Sequence, residues 1–138
     1  MSSNERKMID NALKIGVVPF LRENGFKGSF PHFRRKTETN IELVTFQFNR
    51  WGGSFVVELA TCPLEGVTTS WGELIPPNKV TAHDVNQRFR LGARSKGAEG
   101  KWFTFENANS DKEYEKIATS VVDLLHISDT SWISSLLN

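Results

Sequence analysis

The sequence predicts an α+β protein, an antiparallel sheet of about five strands with an N-terminal and a C-terminal helix packed on one face. Three observations carry this. Residues 41–49 and 54–61 alternate apolar and polar side chains on either side of Gly52-Gly53, which is the pattern of a β-hairpin. Apolar residues recur at helical spacing near both ends of the chain, with strand-like segments between them. Ten Phe and four Trp in 138 residues supply an aromatic-rich core of the size one domain needs, so residues 1–138 are expected to form a single domain.

Ile9, Ala12, Leu13, Gly16, Phe20 and Leu21 place an amphipathic helix over residues 5–24. Pro19 lacks an N–H and crowds the carbonyl of Ile15, so a kink or restart is expected near Val17. Asn24-Gly25-Phe26 predicts a Schellman stop, with Gly25 in the left-handed position and Phe26 folded back on the helix. Strands over 29–36, 41–49 and 54–61 follow as a meander. With Gly52-Gly53 as the two central residues of a tight turn, Trp51 faces Ser54, Phe48 meets Val57, Phe46 meets Leu59 and Gln47 meets Glu58. Phe46, Phe48, Val57, Leu59, Phe89 and Leu91 then lie under the helices, and the opposite face stays polar or partly covered.

Residues 63–85 hold Trp71-Gly72 and Pro76-Pro77 and are too broken for a helix or strand; loops of this length serve function or order themselves by their own packing. Residues 87–94 alternate again, with Phe89, Leu91 and Ala93 on one side and Arg88, Arg90 and Arg94 on the other. Residues 101–106 read as a last strand. Ser110 and Glu113 have capping-box spacing ahead of a stripe of Tyr114, Ile117, Ala118, Val121, Leu124 and Leu125. Thr130 to Leu137 read as a short terminal helix.

Lys and Arg total 17 against 16 Asp and Glu, so no global field recruits nucleic acid or an anionic membrane. Phe33-Arg34-Arg35 and Arg88-Phe89-Arg90 read as buried aromatics with exposed arginines rather than as base-stacking platforms. The one cysteine, Cys62, has no internal disulfide partner, and the polar first residues lack an apolar signal core, which predicts a cytoplasmic protein. No apolar run approaches the roughly 20 residues that cross a bilayer.

Catalytic signatures are missing from the sequence. His32, His83 and His126 form no metal-ligand pair, and Cys62 has no neighbouring histidine. Gly100-Lys101 runs into strand-like residues instead of opening a helix, so the glycine-rich stretch from Gly92 is a hairpin and not a phosphate loop. Glu42, Glu58, Glu65 and Glu73 form no recognisable acid pair. No catalytic residue, metal or cofactor is predicted.

One constellation remains. The arginines of 87–94 project from one strand face, and the hairpin register puts Gln47 and Glu58 on the polar face of the same sheet. Guanidinium forks suit carboxylates and phosphates. The candidate binding residues are therefore Gln47, Arg50, Trp51, Glu58, Trp71, Arg88 and Arg90, with the Trp71 loop as an adaptable rim. If the face is merely solvated, Glu58 and the arginines pair across strands for about 0.2–1 kcal/mol each, and Arg90→Ala barely alters stability.

Gly25-Phe26, Phe33-Arg34-Arg35, Phe46-Gln47, Arg50-Trp51-Gly52, Arg88-Phe89-Arg90-Leu91-Gly92 and Trp102, in this order and spacing, resemble a family of small bacterial proteins, the domain of unknown function 4304. The resemblance runs from about residue 9 to the C-terminus. It implies a compact α+β domain and carries no activity that transfers residue by residue. Occurrence of related proteins among toxin-immunity and defence genes adds an expected role. The function expected is a non-enzymatic, cytoplasmic protein-binding domain with an immunity-like role and a protein as partner. Its alternative is a small ligand-binding protein or enzyme that uses Arg90, Gln47, Glu58 and His83 on the Arg-lined sheet face.

Overall fold

The computed structural model describes residues 4–92 and 100–127. The predicted first helix is two helices, α1 (Asn4–Gly16) and α2 (Val18–Glu23), and Pro19 sits in the first turn of α2, where its missing N–H has no intrahelical partner to lose. The Schellman stop is present. Gly25 at φ 90° donates to Arg22 O at 3.1 Å, and Phe26 donates to Leu21 O at 2.9 Å and is buried.

Among the described residues six strands form the main sheet: β1 (Lys27–Ser29), β2 (His32–Lys36), β3 (Ile41–Phe48), β4 (Ser54–Cys62), β7 (Phe89–Arg90) and β8 (Phe103–Thr104). The order is β1-β2-β3-β4-β7, with β8 also on β4 and every pair antiparallel. The predicted strand over 29–36 begins only at His32, since a turn at Phe30-Pro31 interrupts it, and Ser29 belongs instead to β1, which starts at Lys27 and pairs back on β2. β7 and β8 are two pieces of one edge lane, held together where Lys101 N–H donates to Leu91 O at 3.0 Å. The predicted strand over 87–94 thus shrinks to Phe89–Arg90, and Ala93 and Arg94 lie outside the described residues, as does the predicted helix over 130–137.

The hairpin register differs from the sequence expectation by two residues. Phe48 pairs with Phe55, Phe46 with Val57, Gln47 with Val56 and Thr45 with Glu58. The cause is a four-residue loop, 50–53, in place of a two-residue turn. Asn49 Oδ1 accepts the N–H of Trp51 and Asn49 O accepts that of Gly52, both at 2.9 Å, while Gly52 and Gly53 take φ of 89° and 80°. A shift of two keeps every side chain on its predicted face.

One face carries the main core. Val44, Phe46, Phe55, Val57, Leu59, Phe89, Leu91 and Phe103 pack against Ile9, Leu13, Val17 and Leu21 and against Tyr114, Ala118, Val121 and Leu125 of α3 (Asp111–Ile127). The α3 cap is a variant of the expected box: Ser110 Oγ accepts the N–H of Glu113 at 3.3 Å, while Glu113 Oε2 accepts that of Asn109 at 2.6 Å.

The far face is covered at one end, the partly covered form of the face expected. Segment 63–85 folds back as a two-stranded sheet, β5 (Val67–Thr68) with β6 (Leu74–Ile75), and a 3₁₀ turn at Ala82–Asp84. Val80 and Ala82 bury Ile41, Leu43, Ala60 and Cys62 in a second, smaller core. Among the described residues no helix is long and apolar enough to cross a membrane.

Candidate functional site

The far face carries a polar line across four strands. His32 pairs with Thr45, Thr45 with Glu58, and Glu58 with Arg90 in successive registers, so the four side chains leave one face at one level. Thr45 and Glu58 are buried, Glu58 to 3% exposure. Thr45 Oγ1 accepts the N–H of Ala82 at 3.2 Å and lies 3.2 Å from His32 Nδ1, which ties the 3₁₀ turn to the sheet. At the other end of the line Arg90 Nε donates to Glu58 Oε1 at 3.2 Å, and its guanidinium lies over the Trp102 ring at 5.2 Å. A carboxylate this deep needs a countercharge, and Arg90 is it.

The 3₁₀ turn sets the His83 ring edge-on to His32, with centroids 5.9 Å apart. Burial holds His32 below its usual pKa, the neighbouring His83 and Arg34 push it further down, and Asp84 opposes them. His32 is thereby kept neutral, as a hydrogen-bonding link and not a cation. Asp84 does not orient His83 as a base. Its Oδ2 accepts the N–H and hydroxyl of Thr81 at 2.8 and 3.3 Å, capping the turn.

A groove of about 470 Å³ opens between the end of β4 and segment 63–85, with Cys62, Trp71, His83, Asp84 and Asn86 among its walls. The fold therefore brings a histidine to the groove of Cys62, which sequence spacing did not. The thiol is still unsuited to attack: burial first, and then Glu65, push its pKa up, and Sγ lies 3.5 Å from Pro63 O. Among the described residues no three His, Cys, Asp or Glu side chains are grouped to hold a metal ion.

Six of the seven predicted residues fall into three places. Gln47, half-buried, stands diagonal to Glu58 on the far face, and Arg90 pairs with Glu58. Arg50 and Trp51 form the hairpin tip, with the guanidinium 4.9 Å from the indole, which is 83% exposed. Trp71 is 76% exposed and donates to Glu73 Oε2 at 3.1 Å. It stands beside Cys62, at the opposite end of the nine-residue β4 from the tip, so roughly 25 Å of strand separates the two tryptophans. Arg88 precedes β7 and is exposed. His32 and Thr45 complete the polar line and were not predicted to belong to it. Thr45, a hydroxyl in the middle of an apolar strand, was the available signal, but only the register joins it to Glu58.

The chain matches no curated protein and no solved structure. Residues 17–133 match the family described as Domain of unknown function (DUF4304), a span that takes in α2, the whole sheet and α3. Since that is most of the chain, this protein belongs to the DUF4304 family.

Proposed function

We propose that this chain is a non-enzymatic protein-binding domain of the bacterial cytoplasm, with an immunity-like role, that engages its partner through the β3–β4 hairpin tip. The observation that carries this reading is Trp51, an indole 83% exposed with the Arg50 guanidinium against it. Exposing so large an apolar ring has no folding benefit, while Trp and Arg are the residues that most often anchor interfaces. The loop bonds of Asn49 fix the tip, so little ordering entropy is lost on docking. The chemistry fits a partner surface with an apolar slot rimmed by carboxylates. The immunity-like role draws on the family resemblance and names a toxin encoded next to this gene as that partner. A ligand site on the Arg90 face has less support, because Arg90 already neutralises Glu58.

The test is binding of the purified neighbouring gene product, with Trp51→Ala beside the parent. Loss of about 2 kcal/mol of affinity or more, with an unchanged melting temperature, is the expected result. Equal binding by Trp51→Ala, or no binding by the parent, refutes the proposal.

A further inference from the structure

We propose that the outer end of the β1–β2 hairpin, under Pro77-Asn78, is a binding site for a small phosphomonoester with an apolar body. Lys27 and Arg34 are directly opposite each other in the β1–β2 register, and Lys36 leaves the same face two residues along. Together with Gly28, Ile41, Pro77 and Asn78 they line a pocket of about 350 Å³, at the small end of the range for ligand sites.

Among the described residues no carboxylate lies within ion-pair distance of these three cations, although the chain as a whole has nearly as many acids as bases. Like charges directly opposite on adjacent strands destabilise a hairpin, so this placement works against the fold. Positions that break a local rule are where function is to be sought.

Arg34 is the fixed member. Its Nε donates to Val80 O at 2.6 Å, which anchors the guanidinium between the sheet and the covering segment. Burial lowers its proton affinity, with Asp84 and Cys62 opposing, so a nearby anion would be favoured there. Asp84 itself is committed to Thr81. Two exposed lysines and a held, planar fork match a dianionic phosphate, and Ile41 and Pro77 offer the apolar wall against which an organic body packs. The site is on β1, β2 and segment 63–85, away from the hairpin tip proposed for the partner.

Phenyl phosphate serves as the probe, with benzoate and sodium chloride at matched ionic strength as controls. In the parent protein phenyl phosphate is expected to raise the melting temperature above both controls and to move the amide resonances of Gly28 and Asn78. Lys27→Gln with Lys36→Gln is expected to weaken phenyl phosphate roughly tenfold or more, while the ligand-free variant melts no lower than the parent at low salt, because a repulsion has been removed. No excess stabilisation over the controls, equal binding of benzoate, or a smaller loss in the double variant overturns the proposal. If the double variant does not fold, the amide shifts in the parent decide.

Discussion

Phe55→Ala tests the packing of the main core at its centre. Phe55 is fully buried, its ring stacked on Phe103 at 5.1 Å and 16°, with Phe48 at 5.2 Å, Phe46 at 6.3 Å and Phe105 at 6.4 Å. It joins β3, β4 and β8, so neighbours cannot collapse into the space without breaking strand pairs. Truncation of such a ring costs about 3–5 kcal/mol, and the rigid surroundings place this site in the upper half of that range. For 138 residues the unfolding entropy is about 0.3 kcal/mol/K, so a loss of about 4 kcal/mol lowers the melting temperature by roughly 14 °C. Urea titration followed by far-ultraviolet circular dichroism gives the free energy, and calorimetry the melting temperature. Trp51→Ala, at the exposed tip, is the internal control and stays within about 0.5 kcal/mol of the parent. A Phe55→Ala loss below about 2 kcal/mol would show that these rings are not close-packed.

Arg90→Ala is expected to cost about 1–2 kcal/mol in urea, more than a solvated surface pair gives, because it strands the buried Glu58 carboxylate; a loss near zero refutes the role of countercharge. The pH dependence of stability tests His32. Its folded pKa is lowered by burial, with His83 and Arg34 adding to the shift, so below about pH 6.5 the unfolded chain takes up the proton first and stability falls with pH toward the folded value. His32→Asn should flatten that slope, and parallel pH profiles for variant and parent contradict it. Cys62 should react with a thiol reagent only as fast as the protein opens, since burial raises its pKa; rapid modification of the native protein near neutral pH refutes the inert assignment.

The three-way division of the predicted site follows from what strand alternation can and cannot specify. Alternation assigns a side chain to a face, and Gln47, Glu58 and Arg90 do share one. It does not measure position along a strand, so Trp51 and Trp71, both conspicuous in sequence, prove to stand at opposite ends of β4. The pairing of Lys27 with Arg34 is not legible in the pattern, because Lys27 precedes the strand read over 29–36 and only the turn at Phe30-Pro31 folds it back onto Arg34.

By itself the sequence determined the features written in local chemistry. The missing N–H of Pro19 breaks the first helix, Gly25 followed by Phe26 ends it, Ser110 and Glu113 start α3, and period-two alternation decides which face of β3 and β4 is buried. Tertiary structure decided what local chemistry leaves degenerate. Moving the hairpin by two residues changes every partner and no face, so the hydrophobic pattern accepts both registers, and the Asn49 loop with the packing of Phe55 between Phe48 and Phe103 selects one. The same holds for segment 63–85. Its short strands and 3₁₀ turn carry little preference of their own and are ordered by burying Ile41, Leu43 and Cys62, a surface that exists only after the sheet has formed.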